Sequence, residues 1–209
     1  MSSFIAHGLT GVIAKQCFKT QLPPLKERLL LFLMVCLALL PDLDVIIFMV
    51  FQPAGMVPHR GFSHSILFAA VAAALVLAAT RKVFPISRTR LFLIYFSSLL
   101  SHLALDYLMG AGPPVPFFAP VSGRGFLSPV KLVPCAFYST TFGGLLGLLS
   151  HGPSLLGVVL ELFIFIPAAV FLGTSGEDEK KRFIRKFSLA VSALALLASF
   201  YLYNPVLRS

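Results

Sequence analysis

The chain has 209 residues, of which 57% are hydrophobic and only 12% charged, with a mean hydropathy of +0.90. Soluble globular domains are about a quarter charged, so the composition excludes an ordinary soluble domain and indicates a polytopic membrane protein. A formal net charge of +9 suggests nucleic acid as a partner only if the basic residues share one surface, and they do not.

Thirteen of the 17 basic residues fall in three clusters between apolar runs: Lys15, Lys19, Lys26 and Arg28; Arg81, Lys82, Arg88 and Arg90; Lys180, Lys181, Arg182, Arg185 and Lys186. That is the positive-inside pattern of cytoplasmic loops, and no nucleic acid is expected. Cys17, Cys36 and Cys135 show no paired spacing, which suggests neither a disulfide framework nor a thiolate site. The start of the chain lacks the features of a secretory signal, so all of it is expected to be mature protein.

Six apolar segments follow in order, near 3–18, 29–51, 62–80, 91–110, 153–173 and 184–203. The expected fold is all-α: a polytopic transmembrane helical bundle of about five to six membrane segments with a Pro/Gly-rich outer loop, forming one membrane-embedded domain over 1–209. The first segment is short and is expected to be tilted or partly inserted. Segment 29–51 should break at Pro41, which lacks a backbone donor and disfavours helix just before it. With the basic clusters in the cytoplasm, residue 1, the 52–61 connection, the 111–152 loop and the C-terminus are expected outside, after six crossings. The outer loop holds a 13-residue apolar run, Phe137–Leu149, too short to span; the loop is either an ordinary connection or a lid over a site. No internal repeat is discernible.

Four of the eight acids, Asp42, Asp44, Asp106 and Glu161, lie inside apolar segments, where an ionisable residue suggests function. Segments 29–51 and 91–110 both run outward, so Asp42, Asp44, His102 and Asp106 lie in their outer halves. His7 is near the outer end of the first segment, and His59 and His64 open the third. Seven metal-competent side chains from four segments thus fall at similar depth on one side.

Local spacing supports convergence. His102 and Asp106 are an i,i+4 pair on one helix face. Asp42-Leu43-Asp44 follows the break at Pro41. In His59-Arg60-Gly61-Phe62-Ser63-His64, Gly61 offers backbone freedom, Ser63 is expected to cap the next helix, and the planar fork of Arg60 suits phosphate or carboxylate. Imidazole and carboxylate without thiolate suit zinc, manganese or iron better than calcium. Seven candidates exceed one ion's needs, so two ions bridged by a carboxylate such as Asp44 use them better, with some acting as orienting partners. Glu161 reads as a buried acid bonded to a neighbouring helix, and His151 as a loop histidine.

Five stretches together resemble the membrane-bound metal-dependent hydrolase family typified by YdjM-like, LexA-regulated inner-membrane proteins. They are His7-Gly8; Leu40-Pro41-Asp42-Leu43-Asp44; His59-Arg60-Gly61-Phe62-Ser63-His64-Ser65; Ser101-His102-Leu103-Ala104-Leu105-Asp106; and Gly112 with Pro116-Phe117, Ser122 and Arg124. They span about 5–126; the 127–209 tail matches only as apolar helices. The resemblance places the family's polar positions on His7, Asp42, Asp44, His59, His64, His102 and Asp106. It departs at Pro58, where the family often has a histidine, and at Met109, where it has a threonine.

The expected protein is a multi-pass inner-membrane hydrolase with its site toward the outer face, holding zinc or manganese as one or two divalent transition ions. Asp42 or Asp106 would act as general base and Arg60, with Arg124, would hold phosphate. Location suggests a membrane lipid or lipid-linked phosphoester as substrate. An ion-coupled transporter or channel using the same residues is the alternative, and a non-catalytic protein with a structural metal site is a third reading.

Overall fold

The structure, a computed structural model, describes residues 3–51, 59–134, 152–176 and 178–204. The 52–58 connection, Cys135, the run Phe137–Leu149, His151 and Glu177 lie outside the described residues. What is described is a helical membrane bundle, with one isolated β-bridge, between Val115 and Phe126.

Helix α1 (Phe4–Gln16) opens at Ser3, whose Oγ accepts from the Ala6 N–H. Helix α2 (Pro24–Leu39) starts on a proline, which costs nothing at a first turn where the N–H has no helical partner. It ends where Pro41 forces a break: a 3₁₀ turn over Leu40–Asp42 leads into α3 (Leu43–Phe51). A second 3₁₀ turn, Phe62–His64, precedes α4 (Ile66–Thr80), then come α5 (Arg88–Leu108), α6 (Gly152–Gly173) and α7 (Glu179–Tyr203). The cap of α4 is Ser65, not the expected Ser63: the 3₁₀ turn delays the helix, and Ser65, in extended conformation, accepts from Phe68 N–H.

Four stretches among the described residues are long and apolar enough to cross a membrane: Pro24–Phe48, Arg88–Leu108, Gly152–Gly173 and Glu179–Tyr203. Helix α4, with 15 residues, is a shorter apolar helix. The 13 residues of α1 rise only ~20 Å, short of the ~30 Å hydrocarbon core, so α1 does not cross on its own length.

Helix α1 is nevertheless central, packed against α2, α5 and α6. Small residues allow this closeness, as between membrane helices generally. A Cβ on Gly11 would stand 2.9 Å from both Ala38 Cβ and Met34 O, so only glycine fits there. Ser98 donates to Met34 O (2.5 Å), tying α5 to α2, and Ser192 donates to Ile164 O (2.7 Å), tying α7 to α6. The apolar core between α2, α4 and α5 centres on Leu30, Met34, Leu91, Ile94, Tyr95 and Leu99.

The basic loops meet at one end of the bundle. Lys15 pairs with Glu27 (2.5 Å), Arg90 donates to Lys19 O, and the Gln16 side chain lies against Gly173. Toward the opposite end of α5, residues 110–134 fold back. Gly110 and Gly112 turn with positive φ (59° and 81°), Val115 and Phe126 exchange backbone bonds, and Ile66 N–H donates to Phe117 O. Asn204, after α7, holds Lys131 through both its backbone groups.

Candidate metal centre

His7, Asp42, His59, His64, His102 and Asp106 converge in one buried cluster, none more than 1% exposed. α1 supplies His7, the 3₁₀ turn after Pro41 supplies Asp42, and α5 presents His102 and Asp106 one turn apart. The second 3₁₀ turn supplies His64, and His59 precedes it. The fourteen residues from Arg88 to His102 put the cluster ~21 Å along α5 from the basic end.

Two of the imidazoles, His102 and His64, are held by their outward nitrogens. His102 Nδ1–H donates to Ala38 O (2.7 Å); a carbonyl only accepts, so neutral His102 keeps its Nε2 lone pair for the cluster. That Nε2 faces Asp42 Oδ1 at 3.5 Å and Asp106 Oδ2 at 3.6 Å. His64 is arranged alike: Nδ1 lies 3.0 Å from Ser63 Oγ and 3.3 Å from Asp44 Oδ2, while Nε2 faces Asp106 Oδ2 at 3.3 Å and Asp42 Oδ1 at 3.5 Å. His7 stacks on His102 with centroids 3.8 Å apart, its Nε2 3.6 Å from Asp106 Oδ1. Ligating histidines typically use one nitrogen on the ion and the other on a carbonyl or carboxylate.

Asp44 does not occupy the expected bridging position. Helical residues two apart do not share a face, so Asp42 turns into the cluster and Asp44 lies behind the histidines. It accepts from Arg60 N–H (3.1 Å) and Ser63 O–H (2.9 Å) and sits 3.4 Å from His59 Nδ1. The shared carboxylates are Asp42 and Asp106. Two four-residue groups placed to hold an ion contain both: His7, Asp42, His102 and Asp106, and Asp42, His59, His64 and Asp106.

Arg60 also departs from expectation. It, not Gly61, has the left-handed backbone (φ 59°), and its guanidinium is committed to protein. Nε and Nη2 donate to the two oxygens of Asp106 (3.1 and 2.9 Å), and Nη1 donates to Ala111 O and Pro113 O (2.8 and 2.6 Å). Gly112 lies against the same group, so the folded-back loop seals this side of the cluster. Arg60 therefore joins α5, the loop and Asp106; four of its five N–H groups are unavailable to a phosphate. Arg124 is exposed over the Phe126 ring (5.4 Å) and stands apart from the cluster.

A family model described as YdjM inner membrane protein matches residues 1–205. The chain belongs to that family. It is also 38% identical over 120 residues to inner membrane protein YbcI of Escherichia coli (strain K12), a match covering 54% of this chain and 69% of the relative. No solved structure matches it. Family membership supports an inner-membrane protein with several membrane helices; neither description names a reaction.

The residues fit a divalent ion. Neither oxygen of Asp42 accepts a hydrogen bond, and its neighbours are imidazole nitrogens 3.5–3.8 Å away. A buried carboxylate left so costs on the order of several kcal/mol. Donors ~2.0–2.2 Å from one tetrahedral ion stand about 3.3–3.6 Å apart, which matches the His64, His102 and His7 separations above.

Glu161, on α6, is the buried acid bonded to a neighbouring helix that the sequence suggested, and that helix is α1. Its carboxylate accepts from Ser3 N–H (3.0 Å) and Ser3 O–H (2.5 Å), one turn before His7. The contact joins residues 158 apart, which no local pattern reveals.

Proposed function

We propose that this chain is a membrane-bound metal-dependent hydrolase acting on a phosphoester or lipid-linked substrate at the outer leaflet. The observation that carries the reading is Asp42, a fully buried carboxylate with no hydrogen-bond donor among four imidazoles. His7, His102, His59 and His64, with Asp42 and Asp106 shared, would hold one or two divalent ions such as zinc or manganese. Such an ion, when bound, lowers the pKa of a water and polarises a phosphoryl or carbonyl oxygen.

The chain's own groups then divide the work. Asp106 is occupied by the Arg60 fork, whereas neither oxygen of Asp42 is hydrogen-bonded, so that with one oxygen on an ion the other would be available as general base. Asp44 holds His64, and Ala38 O holds His102, in the tautomers that aim Nε2 inward. Loop 110–134, through Arg60, keeps water from that side. The outer-leaflet placement is supported by the basic loops gathering at the far end of the bundle, as cytoplasmic loops do.

The test is metal analysis of the detergent-purified protein joined to assays on phospholipid and phosphoester panels. The expected result is one to two transition ions per chain and turnover abolished by Asp42→Asn. Protein without bound ions, or fully loaded protein inert across the panel, would overturn the reading.

A further inference from the structure

A groove of about 500 Å³ opens between α3 and α4 beside the cluster, within the ~300–1,000 Å³ of small-molecule sites. Its walls are apolar, among them Leu43 and Ile47 of α3, Phe62, and Phe68 of α4. Its polar side chains are Asp44 and Ser63, which are bonded to each other and reach directly to His59 and His64. Asp44 is also where the cluster is least closed: it is 6% exposed, while Asp42, Asp106, His7, His64 and His102 are at 0%. The groove thus abuts the site, with Asp44 and Ser63 standing between it and the ligand histidines. On its other side Leu43, Ile47 and Phe62, each 44–50% exposed, face the surroundings of a membrane bundle.

We propose that this groove seats the hydrocarbon chain of the substrate, so that the site is loaded sideways from the bilayer with the scissile group arriving past Asp44 and Ser63. This rests on the hydrolase reading above and names its substrate class: an amphiphile with a long apolar tail. A water-soluble ester would leave the apolar walls bare and gain nothing from them. Among the described residues the opposite flank is occupied by Arg60 and its bonds to Ala111 O and Pro113 O. The occupant is a chain rather than a protein helix, because the groove leads to buried ligand groups instead of running along an open helix face.

The experiment uses full-length protein in nanodiscs and a hexadecyl phosphate carrying a diazirine near the end of its chain. Adducts are mapped by mass spectrometry, and bound metal is measured on the same samples. Adducts are expected on residues 40–47 and 61–68, reduced at least about tenfold by Ile47→Trp, which narrows the groove at a position that is none of the ligand residues. Butyl phosphate should compete far less well than unlabelled hexadecyl phosphate. Adducts spread evenly over exposed helix faces such as that of α7, or unchanged by Ile47→Trp, would overturn the proposal. Groove adducts on protein that binds no metal would uphold the groove and overturn the hydrolase reading alone.

Discussion

Asp42 and Asp44 stand two residues apart in sequence and have opposite situations: one faces four imidazoles without a hydrogen bond, the other is saturated by Arg60 N–H and Ser63. Their substitutions should therefore separate. Asp42→Asn should bring bound metal close to zero, because it removes a carboxylate common to both ligand groups. Asp44→Asn should leave ions bound but weaken affinity about 10–100-fold, as loss of an orienting partner does. Competition with a chelator of known affinity distinguishes the two; equal losses would place Asp44 among the ligands. Arg60 gives a second contrast. Its left-handed backbone is uncommon outside glycine and persists because the side chain is fixed at four points. Arg60→Lys cannot reproduce the fork, and breaking a buried pair costs about 3–5 kcal/mol. A thermal melt should show Arg60→Lys nearly as destabilised as Arg60→Ala. A residue that merely bound phosphate would instead keep its fold and lose substrate.

Helix α1 is the element on which the centre depends despite being too short to cross. It runs beside the second half of α6, with Ser3 at Glu161 and Gln16 at Gly173, and brings His7 against His102. Gly11→Leu should dislodge it, since overpacking costs about 1–3 kcal/mol and the contacted atoms include the Met34 backbone. Metal occupancy should fall although Gly11 lies outside the cluster. Glu161→Gln keeps an acceptor for Ser3 and should hold metal within a few-fold, while Glu161→Leu should lose it about tenfold with helicity unchanged by circular dichroism. Equal affinity in both variants would show that Ser3 needs no anchor. Much of this architecture was legible in the sequence: hydropathy marked the six apolar segments, though only four stretches among the described residues are long enough to cross; Pro41 gave the break in the second, and i,i+4 spacing the shared face of His102 and Asp106. Charge bias separated the basic end from the His/Asp end. What stayed hidden depended on register within two 3₁₀ turns and on contacts distant in sequence. The 3₁₀ register decides that Asp44 orients, Ser65 caps and Arg60 turns inward. No periodicity pairs Ser3 with Glu161.

Across the whole molecule the cluster is an electrostatic burden for a bundle of this composition. Asp42, Asp44 and Asp106 gather three carboxylates against the single guanidinium of Arg60 in a buried site. Membrane helices have little hydrophobic drive to associate with one another, so packing and polar contacts decide their stability. Four parts of the fold converge on this point: α1, the Pro41 turn, the His59–His64 turn and α5. An ion bound there would tie all four together and remove the repulsion, and binding to the folded state alone stabilises by RT ln(1 + [L]/Kd), about 2.7 kcal/mol at a hundredfold excess over Kd. Chelator should therefore lower the melting temperature in detergent by several degrees. Zinc or manganese should restore it, with magnesium much less effective given imidazole-rich donors. Asp42→Asn removes one buried charge together with the binding. It should melt at the same temperature with and without chelator, and above the wild type stripped of metal. A wild-type melt indifferent to chelator would mean that the bundle carries this buried charge without an ion.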